Sequence, residues 1–130
     1  MPFAHIHLLA GHPPAWLDSV SAQVQRALEE SFETPTNDCF QVFHQYQPGE
    51  FRFHPTYLGG PRSDNYLLIH IFTGKTRRPA VKYAFFKKLV ELLGDQPGIA
   101  PQDVMIIINN TEIDDWSFSH GDAAARRETS

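Results

Sequence analysis

Two spacings of apolar residues alternate along this chain. Residues 2–9, PFAHIHLL, switch sides at every step. Ala4, Ile6 and Leu8 fall on one face; Phe3, His5, His7 and Leu9 fall on the other. That is the pattern of a strand. Gly11-His12-Pro13-Pro14 interrupts it. From Ala15 to Phe32 the spacing lengthens to three and four. Trp16, Val20, Val24, Ala27 and Leu28 make one stripe, with Asp18, Gln25 and Glu29 elsewhere around the helix. Thr34-Pro35-Thr36-Asn37-Asp38 ends that helix, and CFQVFHQYQ over 39–47 returns to an aromatic, strand-like run.

Residues 48–65 are less regular. Pro48-Gly49 and Gly59-Gly60-Pro61 are turn signals, and FRFHPTYL between them reads as a short extended arm held to an edge by Pro55. YLLIHIF, residues 66–72, is the nearly continuous apolar run of a buried strand. Gly74-Lys75-Thr76 breaks it, and Pro79 suits the first turn of a helix. Val81, Ala84, Phe85, Leu89, Leu92 and Leu93 form the stripe of that helix, which Gly94 closes. VMIIIN, residues 104–109, is a last strand, and the tail from about 121 is polar and expected to be loose.

Strand, helix and strand thus occur twice, over about 2–47 and 66–109. The expected fold is one α/β (α+β) domain over residues 1–130. Its two βαβ units form a four-stranded mixed sheet with two helices on one face. The strands carry apolar residues on both faces, and two helices cover only one. No third helix is available, so other copies of the chain are the expected cover, and an oligomer follows.

Composition narrows the class. A chain of 130 residues with 42% hydrophobic and 20% charged residues has a globular make-up. A net charge of -4 without a basic run argues against nucleic acid as the partner. No apolar stretch approaches the roughly 20 residues of a membrane span, and no signal-like start is present. A lone cysteine, Cys39, points to a reducing, cytoplasmic setting and reads as a small buried hydrophobe.

The candidate chemistry begins at Pro2. A proline is tolerated at a strand's first position because its missing N–H disrupts little. Once Met1 is removed, the same residue becomes a secondary amine held by a sheet. Nearby cations would make it a base near neutral pH, and a nearby carboxylate would make it an acid. His5 and His7 share a strand face at a spacing that can chelate metal. With no third ligand evident in the sequence, no metal site and no cofactor are expected. His44, His54 and His70 read as packing or hydrogen-bonding residues, and Arg62 as structural.

Four further stretches carry a resemblance. They are Asp38-Cys39-Phe40-Gln41, Gln47-Pro48-Gly49-Glu50, Gly60-Pro61-Arg62-Ser63 and Asp114-Asp115-Trp116-Ser117-Phe118. With the proline after Met1 and the doubled βαβ pattern, the chain resembles the tautomerase superfamily, closest to the malonate semialdehyde decarboxylase-like group. The resemblance implies a homotrimer and a cofactor-independent site. There Pro2 works with Asp38, and Trp116 and Phe118 form an aromatic wall. It also implies two arginines just after the third strand. Those positions fall on Gly74 and Thr76, so Lys75, Arg77 and Arg78 are the nearby cations. Lys75 or Arg77 would hold the carboxylate of a small oxo acid, phenylpyruvate-like or malonate semialdehyde-like. Pro2 would drive keto–enol tautomerisation or decarboxylation. By residue type alone, Asp38 also suits a turn, Trp116 and Phe118 a core or interface, and the three cations a solvated helix start. A catalytically inactive scaffold or binding protein of the same fold is the alternative reading.

Overall fold

A computed structural model describes residues 1–124; the end of the expected loose tail, 125–130, lies outside the described residues. The elements run β1 (Pro2–Leu9), α1 (Pro14–Phe32), β2 (Gln41–Tyr46), β3 (Leu67–Thr73), α2 (Pro79–Asp95) and β4 (Val104–Asn110). Two short 3-10 turns, Pro101–Asp103 and Ile113–Asp115, flank β4. The extended arm expected at 51–58 is not a strand. It is an irregular segment pinned by rings, with Phe51 5.3 Å from Tyr46 and Phe53 4.3 Å from Tyr66.

The sheet order is β2-β1-β3-β4. β1 runs parallel to β2, β3 runs parallel to β4, and β1 and β3 pair antiparallel. The two βαβ halves therefore meet at the β1–β3 pair. Each strand presents alternate residues to opposite faces. Ala4, Ile6 and Leu8 of β1 and Leu67, Ile69 and Ile71 of β3 are buried. They pack with Val20, Val24, Ala27, Leu28 and Phe32 of α1 and with Phe85, Leu89, Leu92 and Leu93 of α2 in one core. Both helices thus cover the same sheet face, as the residue pattern predicts.

Both helices start on proline, which lacks an N–H that a first turn leaves unpaired anyway. α1 stops where Glu33 turns left-handed at φ 56°, and the Thr34 amide donates back to the Leu28 carbonyl at 3.3 Å. The loop before β3 is tied down at Asp103. Its buried carboxylate accepts hydrogen bonds from the Ser63 amide at 2.6 Å and the Ser63 hydroxyl at 2.7 Å. Arg62 is structural, as expected, donating to the His54 carbonyl at 2.8 Å. Gly60 has φ 96°, and a Cβ there would collide with the Pro55 carbonyl oxygen, so this turn requires glycine.

The opposite face has no helix over it among the described residues. Val42, Met105 and Ile107 remain 37%, 43% and 37% exposed there. Cys39 also corrects its expectation: it is exposed. It sits just before β2, which forms an edge of the sheet, and no neighbouring strand shields it. The start of the tail is less loose than expected. Ala124 is buried, and its amide donates to the Trp116 carbonyl at 3.0 Å.

Phe85 is fully buried and stacks against Phe32 at 4.7 Å, joining α2 to the end of α1. Replacing it with alanine should cost about 3–5 kcal/mol. Urea unfolding of wild type and Phe85→Ala at one fixed protein concentration measures this, and a loss below about 1 kcal/mol would contradict the packing.

Candidate active site

The start of β1 lies at the meeting point of three chain segments. Pro2 pairs with Thr73 at the end of β3. The Gly74 amide donates to the Met1 carbonyl at 3.3 Å, extending that pairing by one residue. On the other side, the turn before β2 brings Asp38 alongside. Its carboxylate Oδ2 lies 3.3 Å from the Met1 ammonium, and both groups are largely shielded from solvent. Asp38 is itself fixed: its amide donates to the Pro35 carbonyl at 3.0 Å, and its carbonyl accepts from Gln25 Nε2 of α1 at 3.1 Å. Asp38, read in the sequence as a partner of Pro2, thus stands beside the terminal amine of Met1.

A cavity of about 300 Å³ opens next to this point, lined by Phe3, His5, Phe72, Thr111, Asp115 and Trp116. Trp116 lines this cavity. Phe118 does not: it stacks on Trp116 at 5.6 Å and lies 5.9 Å from Phe40, bracing the indole from outside. Thr111 escaped sequence reasoning. Its hydroxyl donates to the Thr73 carbonyl and accepts from the Trp116 indole N–H, at 2.7 and 2.6 Å. It therefore ties the aromatic wall to the end of β3. The only sequence signal was a polar residue five positions before a tryptophan, which is too common to single out.

Gly74 is the second residue whose role depends on contact. A Cβ there would stand 3.0 Å from Met1 Cε and 3.2 Å from Trp116 Nε1. The Met1 side chain and the indole therefore close over bare backbone. Removing Met1 would open that space beside Pro2.

The expected cations separate. Arg77 is occupied. Its guanidinium donates to the Lys75 carbonyl at 2.9 Å and the Phe32 carbonyl at 3.3 Å, and it lies 4.2 Å above the Phe32 ring. Burial pushes its pKa down, opposed by Glu33. It closes the end of α1, whose last carbonyls have no intrahelical partner. Lys75 and Arg78 are exposed. None of the three lines the cavity, although Lys75 follows Gly74 directly.

The third metal-ligand candidate missing from the sequence appears in the fold. β2 brings His44 beside His5 and His7, and one ring nitrogen from each lies within 4.8 Å of the others. His5 Nδ1 and His44 Nε2 are 2.8 Å apart. His54 and His70 are hydrogen-bonding residues, as read: His54 Nδ1 accepts from the Thr56 and Tyr57 amides, and His70 pairs with Asn109.

A four-stranded mixed sheet with two helices on one face is the tautomerase fold. The family model described as tautomerase enzyme matches residues 38–119, and the chain belongs to that family. It is 32% identical over 123 residues to the probable tautomerase YusQ of Bacillus subtilis (strain 168), covering 95% of this chain and 97% of that protein. Its fold is similar to malonate semialdehyde decarboxylase, solved in wild-type, mutant and inactivated forms. The TM-score is 0.91 and the identity 29%, with 98% of both chains covered. A fused 4-OT symmetric trimer shares the fold at TM-score 0.76 and 16% identity, over 95% and 96% of the two chains. The chain is an enzyme of the tautomerase (isomerase) or decarboxylase-like type. No described helix is long and apolar enough to cross a membrane.

Arg77→Ala should act on stability before catalysis. Losing two carbonyl contacts and the Phe32 ring contact should cost about 1–2 kcal/mol. Thermal unfolding would show the loss. An unchanged Tm together with a large rise in KM would instead place Arg77 at the substrate.

Proposed function

We propose that this protein is a cofactor-independent enzyme whose catalytic group is the amine of Pro2, freed by removal of Met1, acting on a small oxo acid. One observation carries the reading. Asp38 already forms an ion pair with the chain's terminal amine, at 3.3 Å, beside an aromatic-walled cavity. Cutting the Met1–Pro2 bond moves that amine one residue inward, still next to Asp38 and now facing the space Met1 leaves. A carboxylate beside an ammonium favours its protonated form. Pro2 is thus poised as an acid.

The chemistry follows from that charge. The Lys75 ammonium holds the substrate carboxylate as a point charge, without the forked geometry of arginine. Trp116, steadied by Thr111, excludes water. The Pro2 ammonium donates a hydrogen bond to the carbonyl oxygen of the substrate. In a 3-oxo acid, the bond to the carboxylate carbon then breaks. Its electrons form the enol, carbon dioxide leaves, and the enol takes a proton to give the aldehyde or ketone. In a 2-oxo acid, the neutral amine instead removes a proton from the carbon beside the ketone and delivers it to the carbonyl oxygen, giving the enol, and the reverse transfer restores the ketone. Gly74 lets the Trp116 indole sit against bare backbone, where a side chain would crowd it; phenylpyruvate-like and malonate semialdehyde-like acids are the candidate substrates.

The active form is proposed to be a homotrimer. The apolar sheet face without a covering helix supports this, since Val42, Met105 and Ile107 stay partly exposed in one chain.

Intact mass should show loss of Met1 in active protein. A 3-halo-2-oxo acid should label Pro2 once per chain, and Pro2→Ala should lower kcat by at least about 100-fold on enol phenylpyruvate or malonate semialdehyde. Full turnover by Pro2→Ala on both substrates sinks the proposal. Absence of labelling and of turnover in Met1-free protein favours the scaffold reading.

The acid role has its own signature. Activity that needs a protonated Pro2 falls as pH rises through the amine's pKa. Asp38→Asn removes the group that favours the ammonium. The alkaline limb of kcat/KM should then move down by about one pH unit. If the acidic limb moves down instead and the alkaline limb stays in place, Pro2 has the base role.

A further inference from the structure

We propose that His5, His7 and His44 form a binding site for one divalent transition-metal ion of the zinc type, on the sheet face away from the helices. Register builds the site. His5 and His7 lie two apart on β1 and so share a face, and β2 pairs parallel with β1 so that His44 stands directly across from His7. One nitrogen from each ring already lies within 4.8 Å of the other two. Three ligands around zinc at about 2.0–2.1 Å need nitrogen separations near 3.3 Å. The widest pair therefore has to close by at most about 1.5 Å, within the reach of ring rotation about χ2.

The Tyr46 hydroxyl lies 2.7 Å from His7 Nδ1, which leaves His7 Nε2 free. A metal-bound imidazole ordinarily has its second nitrogen fixed in this way. His7 and His44 lie near-parallel at 4.5 Å and 12°, and His5 and His44 at 5.1 Å and 20°, so the rings are packed together but must turn for their in-plane lone pairs to meet at one ion. The 2.8 Å contact between His5 Nδ1 and His44 Nε2 is where an ion would enter. Each neutral ring then keeps its proton on the nitrogen facing away from the ion.

Charge agrees with geometry. Neutral imidazole is the ligating form. The residues paired around the cluster on this face are Phe3, Val42, Tyr46, Leu68, His70 and Phe72, with no Lys or Arg among them to repel a cation. Three imidazoles with an open fourth position suit zinc, copper, nickel or iron over calcium or magnesium. The trimer proposed above would enclose this face, so a water or a partner copy would complete the shell.

The test uses the whole, untagged protein, stripped with a chelator. Zn²⁺ is titrated against a chromophoric zinc indicator, and Co²⁺ binding is followed by visible absorption. The expected result is one ion per chain, a dissociation constant at or below micromolar, and the strong visible bands of four-coordinate Co²⁺. His7→Gln and His44→Gln should each weaken binding by about tenfold or more, with far-UV circular dichroism confirming that both variants fold. His54→Gln, outside the cluster, and Pro2→Ala should bind as wild type, which tests this site independently of the catalytic proposal. Millimolar or non-saturable binding, one ion per three chains, or wild-type affinity in folded His7→Gln and His44→Gln overturns the assignment.

Discussion

The register of β1 is the constraint on which the rest depends. This strand is paired on both edges, parallel to β2 and antiparallel to β3. Side chains alternate with a period of two, so a slip of one residue would send every side chain to the other face. His5 and His7 would then enter the core, and Ile6 and Leu8 would leave it. Burying two unpaired imidazoles while exposing two aliphatic side chains would cost several kcal/mol, of order 2–3 for each aliphatic group alone. The core thus holds the register. The register in turn places Pro2 opposite Thr73 and brings Gly74 against Met1.

From that one pairing the site assembles with little else. β3 ends where Thr111, coming off β4, can donate to the Thr73 carbonyl and receive the Trp116 indole. β2 begins where Asp38 meets the terminal amine. The α1 end is closed by Arg77 from the loop before α2, which ties the two halves at the same end of the sheet. Arg77, one of the two cations read as candidates for a substrate carboxylate, is here bonded to backbone carbonyls, while Lys75 and Arg78 are exposed. The two sides of the sheet divide the labour. The helix side supplies stability through Phe85, Leu89 and their neighbours. The open side carries histidines and aromatic rings in a mixed surface that neither pure packing nor pure solvation explains.

How much of this was legible in the sequence differs by residue. Ala4, Ile6 and Leu8 announce a buried face by alternation, and Phe85 and Leu89 announce a helix stripe by spacing, because local geometry fixes both periods. Pro2, Asp38 and Trp116 stood out through motifs whose order along the chain survives folding. Thr111 did not, since its importance lies in two hydrogen bonds to residues 38 and 5 positions away. Cys39 was misread because composition favours burying a free cysteine, while its place before an edge strand leaves it exposed. His44 read as an ordinary strand histidine because nothing local links it to His5 and His7.

The sequence alone determined the element order, the doubled βαβ pattern and the face each strand buries. These follow from periodicity and from proline and glycine placement, which act over a few residues. Only the tertiary structure decided which strands are neighbours. Pairing is a long-range choice among similar apolar strands, settled by core packing and by the antiparallel β1–β3 contact. That choice set Asp38 beside the terminal amine, turned Arg77 inward to the end of α1, and gathered His44 onto one patch of sheet with His7 and with His5, 39 residues earlier.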